Sequence, residues 1–377
     1  MSYEKHMRGY KDPRTFCHID RLYAWKNNKF FAPATVEISP INICNQKCRY
    51  CYVHTKSNLI RKNKGLEKEI FIDIIKQCKE MSVGALHIQG TGEPLLHRGI
   101  VDAFHEIGRQ NLPVYLTTNG VLLDKKMARE ILPHATLVRF SNFEPEKKRY
   151  TYMHDCPTPT HYDEVVENIE NAVMLRNELN LDVALTSTLY IDESNFERVP
   201  QYIKQLKSMG LDYVIVGEAS WTSQTFIRER RPSTEITLKE KKILVEEISQ
   251  ACYKMCDNNF QVNFTPRIMP KKVMKGFLSD DWKKNSCQGI KFTASIASDG
   301  EVYPCWRFWG NKKYSYGNLY KCDLRTILQG QKTIDVFNYI NTTPPEFDEC
   351  EVCSIMELNN ILGMLKNPTV WHNFLSC

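Results

Sequence analysis

Three cysteines stand close together in this chain as Cys44, Cys48 and Cys51, in the spacing C-x3-C-x2-C. They follow directly after an apolar, strand-like run at residues 34–39. Three thiolates can ligate three irons of a [4Fe–4S] cluster and leave the fourth iron open to a small molecule. Structural zinc usually takes four ligands, often from C-x2-C pairs. The spacing therefore favours an iron–sulfur cluster, with a zinc site or buried thiols as the alternatives.

Composition limits the kind of protein to which these cysteines belong. At 377 residues, the chain is long enough for a large domain and a smaller one. Fourteen cysteines without an export signal indicate metal ligation rather than disulfides, which predicts a cytoplasmic protein. The sequence has no apolar run long enough to span a membrane. A net charge of +6, spread without a basic helix or aromatic-rich patch, predicts no binding to nucleic acid.

Short β-rich runs alternate with longer helical stretches, which is the pattern of parallel βα units. The predicted strands span residues 34–39, 85–89, 114–118, 136–141, 183–190 and 213–217. The predicted helices span residues 66–81, 98–110, 124–132, 162–180, 195–209 and 238–258. In barrels of parallel strands, functional residues gather at the C-terminal strand ends. The pattern thus predicts an α/β fold with the cysteines at the mouth of the sheet.

With Tyr50 as its aromatic residue, the cysteine segment resembles the C-x3-C-x-aromatic-C signature of the radical S-adenosylmethionine (SAM) superfamily. The resemblance implies a partial (β/α)6 barrel, similar to a TIM barrel, over residues 34–235, after an N-terminal extension at residues 1–33. It also implies that SAM binds the open iron. The reduced cluster would then cleave SAM to methionine and a 5′-deoxyadenosyl radical, with electrons from an external reductant of the flavodoxin or ferredoxin type.

The segment Gly90-Thr91-Gly92-Glu93-Pro94 directly follows the second predicted strand. Glycines at a strand exit let the backbone approach a ligand closely, although such a segment is also an ordinary turn. Within the resemblance it matches the GGEP motif that holds the amino group of SAM, with Thr91 in place of a small residue. The Glu93 carboxylate or nearby backbone carbonyls would accept hydrogen bonds from that ammonium group.

Four more residues at strand ends are candidates for the site. Asn119 belongs to a Thr-Asn-Gly segment that resembles one common in the family, although Asn-Gly is also a favourable turn. The resemblance implies that Ser141 and Ser187 contact the ribose or carboxylate of SAM, and a core role is the alternative for Ser187. Glu218, at the end of the sixth strand, is a candidate catalytic group on the substrate side.

A second cysteine set consists of Cys287, Cys305, Cys350 and Cys353. Cys305 follows a predicted hairpin, with strands at residues 292–297 and 301–303 around a Ser-Asp-Gly turn. The segment resembles the G-x4-C element of the SPASM and twitch domains of radical SAM enzymes. The further cysteines of a full SPASM domain are absent, which favours the shorter twitch type at residues 286–377, joined by a helical segment at residues 236–285. One auxiliary [4Fe–4S] cluster would be held by the four thiols, and a zinc ribbon is the alternative.

The resemblance implies an enzyme that abstracts hydrogen from its substrate. The leading hypothesis is dehydrogenation or epimerisation of a small polar molecule, such as a sugar or an aminocyclitol. The alternative is a ribosomal-peptide maturase that forms cross-links or epimerises residues with a separate recognition partner. A zinc-stabilised binding protein without catalytic activity is the third hypothesis. Seven other cysteines remain. Cys78 lies in a predicted helix and is expected to be a buried, small apolar residue. Any of the other six could donate a hydrogen atom, and the sequence selects none of them.

Overall fold

The computed structural model describes residues 17–51, 53, 65–191, 195–218, 238–264, 287–343 and 355–366. Its centre is one ten-stranded sheet in the order β10-β9-β8-β1-β2-β3-β4-β5-β6-β7. The strands are β1 (Thr35–Ile38), β2 (Ala85–Ile88), β3 (Val114–Thr118), β4 (Leu137–Phe140), β5 (Ala184–Ile191), β6 (Tyr213–Glu218), β7 (Gln261–Phe264), β8 (Thr293–Ile296), β9 (Glu301–Tyr303) and β10 (Gly317–Asn318).

Strands β1 to β7 are parallel to their neighbours and form the α/β partial barrel that the sequence predicts. Each of the six predicted strands is confirmed, with every boundary within one residue of its expected position. All these strands therefore present their C-terminal ends at one edge of the sheet. That edge is where the candidate site residues after β1, β2 and β3 come together.

Helices cover the outer face of the sheet. The helices are α1 (Ile19–Lys26), α2 (Lys68–Glu80), α3 (Ile100–Gln110), α4 (Lys125–Ile131), α5 (Lys147–His154), α6 (His161–Glu178), α7 (Val199–Ser208), α8 (Leu238–Tyr253), α9 (Leu324–Gln329), α10 (Gln331–Thr342) and α11 (Met356–Lys366). In α2, the buried residues Phe71, Ile74, Ile75 and Cys78 recur at helical spacing and form the stripe that faces the core. The expected helices are confirmed, with ends shifted by up to five residues. None of the described helices combines the length and the apolar character needed to cross a bilayer.

Helix α5 is not predicted by the sequence pattern. Its eight residues include five polar or charged ones, and the Glu146 side chain at its N-cap makes no capping hydrogen bond. Only Tyr150, Met153 and His154 are buried. Tertiary packing therefore stabilises this helix more than its own propensity does. It lies behind the cysteine segment and is important for the site.

The segment at residues 236–285 contains more than the expected connecting helix. After α8 the chain forms β7, which pairs in parallel with β6 and adds a seventh strand to the barrel sheet. The hairpin of β8 and β9 is confirmed as antiparallel, with Gly300 at φ +78° in its turn. Strand β8 also pairs in parallel with β1. The hairpin that carries Cys305 thus continues the same sheet as the strand that precedes Cys44.

Candidate functional site

The cysteine loop, residues 41–51, leaves the C-terminal end of β1. Cys44 is exposed at its surface, whereas Cys48 and Cys51 are partly buried. The surrounding protein desolvates the Cys44 thiol and, with the charge of Glu93, raises its pKa to about 12. Burial also raises the pKa of Cys48, and the nearby thiols of Cys51 and Cys44 add to this shift. Cys51 also raises the pKa of Cys44, so the three thiols lie close enough to affect one another's protonation. Binding of a cluster would displace their protons.

Helix α5 fixes the backbone of the cysteine loop. The Lys47 amide donates to the His154 carbonyl at 3.2 Å, and the Arg49 amide donates to the Met153 carbonyl at 2.9 Å. These amides flank Cys48, whose Sγ lies 3.3 Å from Nδ1 of His154. The last turn of the helix therefore supports the loop through both its carbonyls and a side chain.

The His154 ring is fully buried and contacts several neighbours. Its Nε2 lies 3.0 Å from the Asn142 carbonyl, and its Nδ1 lies 2.8 Å from Oε1 of Gln46. The Tyr150 ring stacks on it at a centroid distance of 4.1 Å, and the edge of Tyr50 meets it at 5.5 Å. Burial lowers the pKa of His154 to about 4, so the ring is neutral at physiological pH.

The glycine-rich segment after β2 packs on the backbone of the cysteine loop. The Glu93 amide donates to the Ile43 carbonyl at 2.9 Å. A Cβ atom on Gly92 would lie only 2.6 Å from the Ile43 nitrogen, so no larger residue fits without moving the loop. Gly92 thus brings the two segments into direct backbone contact.

Ser39, at the end of β1, holds the start of the same segment. Its Oγ accepts a hydrogen bond from the Thr91 amide at 3.1 Å and lies 3.2 Å from the Thr91 hydroxyl. A Cβ atom on Gly90 would lie 2.9 Å from the Ser39 Cα. Gly90 and Thr91 are therefore placed beside β1.

The Glu93 carboxylate is buried and accepts three hydrogen bonds from the protein. Oε1 accepts from the Leu95 amide at 3.1 Å and from the Thr118 hydroxyl at 2.6 Å. Oε2 accepts from the Asn119 amide at 2.7 Å. Burial raises the pKa of Glu93, and these hydrogen bonds oppose the shift. Glu93 thus joins the exits of β2 and β3, and its contact with the ammonium group of SAM stays a prediction.

Asn119 links the exit of β3 to the cysteine loop. Its side-chain nitrogen donates to Oδ1 of Asn45 at 2.6 Å and lies 3.9 Å from Sγ of Cys44. Its Oδ1 accepts from the Val121 amide at 3.1 Å. The exits of three consecutive strands therefore meet around the first cysteine.

Ser141, Ser187 and Glu218 are the remaining predicted site residues. Ser141 is partly buried at the exit of β4, and its amide donates to the Thr118 carbonyl. The Ser187 hydroxyl is fully buried and donates to the carbonyls of Phe140 and Thr188 at 3.2 and 2.9 Å. These contacts do not bring Ser187 to the cysteine loop. Glu218 is the last residue of β6 and pairs with Ile191 of β5.

Two cysteines of the second set lie within the described residues. Cys287 and Cys305 both lie near the buried hydroxyl of Tyr316 and raise its pKa, although desolvation is the larger cause. The side-chain nitrogen of Asn359 lies 3.6 Å from Sγ of Cys287. Cys350 and Cys353 lie outside the described residues. Among the described residues, no three His, Cys, Asp or Glu side chains converge around one position suited to a single metal ion.

Sequence reasoning missed a group of polar side chains on the inner face of the barrel sheet. Glu37 of β1 lies 3.8 Å from His87 of β2, whose Nε2 lies 2.9 Å from the Thr117 hydroxyl of β3. Arg139 of β4 donates to the same hydroxyl at 3.2 Å. The signal was present as alternation, since β1 and β3 place fully buried residues between these partly buried ones.

The loop and its neighbours fit a [4Fe–4S] cluster, because three mutually close thiols share one segment that two other strand exits hold in place. A sequence model of the radical SAM superfamily matches residues 38–173, which include the cysteine loop, the glycine-rich segment and Asn119. Residues 38–173 therefore form a radical SAM domain. A second model, of an iron–sulfur cluster-binding SPASM domain, matches residues 287–354, which contain all four cysteines of the second set.

Two curated relatives align over most of the chain. It is 22% identical over 353 residues to the tungsten-containing aldehyde ferredoxin oxidoreductase cofactor-modifying protein of Pyrococcus furiosus, and the alignment covers 89% of this chain and 90% of that protein. It is 25% identical over 276 residues to the GTP 3′,8-cyclase of Helicobacter pylori, covering 72% and 79%.

Solved structures share the fold. Streptococcus suis SuiB bound to SAM superimposes with a TM-score of 0.61 at 17% identity, covering 93% of this chain and 78% of that one. The structure of anSMEcpe with bound SAM gives a TM-score of 0.56 at 19% identity, covering 86% and 84%. This radical SAM protein has three cofactors, namely SAM, the [4Fe–4S] cluster that binds it and an auxiliary iron–sulfur cluster.

Proposed function

We propose that this radical SAM enzyme abstracts a hydrogen atom from a small polar substrate and completes a dehydrogenation or an epimerisation. The observation that carries the proposal is the meeting of three strand exits around Cys44. Asn119 lies 3.9 Å from its thiol, and Gly92 packs on the backbone one residue before it. This arrangement gives a ligand at the open iron a backbone shelf on which to rest.

Each part of the site has a role in this proposal. Cys44, Cys48 and Cys51 ligate the first cluster. Gly90, Thr91 and Gly92 present backbone groups to the methionyl end of SAM. Glu93 and Asn119 hold this shelf against the cysteine loop through the hydrogen bonds described above. Ser141 stands at the next strand exit, where it can reach the ribose or carboxylate of SAM.

When bound and reduced, the first cluster supplies the electron that cleaves SAM to methionine and a 5′-deoxyadenosyl radical. An external flavodoxin or ferredoxin supplies that electron. Cys287, Cys305, Cys350 and Cys353 ligate the auxiliary cluster. The barrel side chains bind and orient the substrate, and Glu218 is a candidate acid or base at the exit of β6.

The polar inner face of the barrel favours a small polar substrate. Glu37, His87, Thr117 and Arg139 line neighbouring strands there and contact one another, and an apolar substrate would shield these polar and charged groups from water. Among the relatives, the GTP 3′,8-cyclase is named for a small molecule. SuiB and anSMEcpe have been solved with bound peptides, which keeps a peptide substrate as the alternative.

The decisive experiment measures 5′-deoxyadenosine and follows deuterium into it. The anaerobic, reduced wild type should form 5′-deoxyadenosine from SAM, and Cys→Ala substitutions at 44, 48 and 51 should abolish this. C322A is the matched control, because Cys322 is exposed on the surface and belongs to neither cysteine set. Deuterated sugars, aminocyclitols and peptides are then compared as donors. No 5′-deoxyadenosine from the iron-loaded wild type would refute the proposal, and transfer from peptides alone would support the alternative.

A further inference from the structure

Among the described residues, no carboxylate pairs with the guanidinium group of Arg139 on the inner face of the barrel. Arg139 donates from one terminal nitrogen to the Thr117 hydroxyl, and its guanidinium carbon lies 4.8 Å from the centroid of the Tyr115 ring. Its Nε is buried and has no hydrogen-bond partner among the described residues. The residue as a whole is partly buried, and a buried donor without a partner costs folding free energy.

The acidic side chain of Glu37, on the same face, has other partners. Glu37 lies 3.8 Å from His87 through Oε1 and accepts a hydrogen bond from Ser295 through Oε2 at 3.1 Å. Within the described part of the chain, Glu37 and Arg139 form no ion pair with each other. The positive charge of Arg139 is therefore available to a ligand.

Arg139 is connected to the cysteine loop through one aromatic side chain. Tyr190, near the end of β5, packs its ring edge-on against Tyr50 at a centroid distance of 5.2 Å. Burial raises the pKa of Tyr190. The nearby charge of Arg139 lowers it, and the nearby thiols of Cys51 and Cys48 raise it. A group held by Arg139 would thus lie between the interior of the barrel and the site where SAM binds.

The hairpin domain contributes a second positive charge. Arg307 follows Cys305 by two residues, is almost fully buried and lies over the Trp306 ring at 4.0 Å. The charge of Arg307 also lowers the pKa of Tyr190. Tyr190 therefore lies near two guanidinium groups, that of Arg139 in the barrel and that of Arg307 in the hairpin domain.

We propose that Arg139 is the binding residue for an oxyanion of the substrate, which is therefore a carboxylated or phosphorylated small molecule. This inference rests on the proposed function, because it names the substrate class for the same site. The two terminal nitrogens of a guanidinium group can offer parallel N–H donors to a carboxylate or phosphate, and in Arg139 one of them also contacts Thr117. Thr117 and Tyr115 hold the guanidinium in one orientation, which reduces the entropy lost on binding.

The test titrates the anaerobic holoenzyme with inorganic phosphate and, separately, with acetate, by calorimetry. We expect the wild type to bind at least one probe and R139Q to bind it at least tenfold more weakly. R139K keeps the charge but loses the planar donor pair, so it should bind with intermediate affinity, and it replaces R139Q should that variant not fold. R129Q is the matched control, because Arg129 is exposed on α4, and it should bind like the wild type.

Binding of phosphate alone assigns a phosphorylated substrate, and binding of acetate alone a carboxylated one. The inference is overturned by a wild type that binds neither probe, or by R139Q or R139K binding as tightly as the wild type. It is also overturned if R139Q loses SAM binding to the same extent, because the oxyanion is then the carboxylate of SAM. Formation of 5′-deoxyadenosine by the wild type is measured in parallel. Its presence without anion binding refutes only the oxyanion site, whereas its absence refutes the proposed function.

Discussion

The His154 ring approaches the Cys48 thiol to 3.3 Å, although the two residues are 106 positions apart in the chain. The same histidine accepts a backbone hydrogen bond from Lys47 through its carbonyl. One residue thus holds both the backbone and a thiol of the cysteine loop. Several of the predictions below concern such contacts around the two cysteine sets.

Replacing His154 with alanine should weaken both the fold and the first cluster. The substitution removes the buried contacts with Gln46, Asn142 and Cys48, and about 2–3 kcal/mol of unfolding free energy should be lost. Urea unfolding and iron analysis measure the two effects. H105A is the control, because the His105 ring pairs with Glu130 at the surface and should matter little. Equal iron content and stability in H154A and the wild type would contradict the prediction.

Replacing Gly92 with alanine should displace the cysteine loop. The added methyl group would lie 2.6 Å from the Ile43 nitrogen, and a backbone atom cannot yield as a flexible side chain can. We expect iron content to fall from about eight to about four atoms per chain, as the first cluster is lost. G99A is a matched control, since its methyl group would meet the side chains of Lys68 at 3.0 Å and His97 at 3.3 Å and no backbone atom among its three nearest contacts. A normal iron content in G92A would show that the loop adapts.

Replacing Cys287 with alanine should remove the auxiliary cluster selectively. Cys287 and Cys305 both lie beside Tyr316, whereas the first cysteine set lies at the exit of β1. Iron should fall to about four atoms per chain, and 5′-deoxyadenosine should still form at a reduced rate. C322A should keep about eight irons. Complete loss of SAM cleavage in C287A would mean that the two sites depend on each other.

Replacing Cys78 with alanine should change how stability depends on pH. Burial raises the pKa of this thiol from 9.0 to about 12. Between these values the unfolded chain loses the proton and the folded chain keeps it, so ionisation favours unfolding. The contribution of Cys78 is constant below pH 9 and falls by about 1.4 kcal/mol per pH unit above it. Anaerobic urea unfolding of wild type and C78A from pH 8 to 11 should therefore show the steeper decline in the wild type.

Much of the barrel could be predicted from the sequence because the signals are local. Short β-rich runs mark the strands, and Gly90, Gly92 and Asn119 mark strand exits where the backbone turns. The parallel order then requires these exits to share one edge of the sheet. For this reason the cysteine loop and the glycine-rich segment could be expected to meet before any coordinates were known.

Three features depended on contacts between distant parts of the chain. Helix α5 has a weak pattern of its own and is stabilised where Tyr150 and His154 pack under the cysteine loop. The pairing of β8 with β1 and the addition of β7 depend on which sheet edges stay open after the first six strands form. These choices are made by packing and backbone pairing between elements, which no local pattern encodes.

The sequence by itself determined the chemistry of this protein, because the spacing of Cys44, Cys48 and Cys51 sets how many thiols a single loop can offer to a cluster. Only the tertiary structure decided what surrounds that chemistry. Arg139 and Glu37 are ordinary charged residues in the sequence, and the register of the parallel strands decides that they line the same interior without forming an ion pair. The thiols are defined by short-range spacing, whereas the polar inner face of the barrel arises from long-range register.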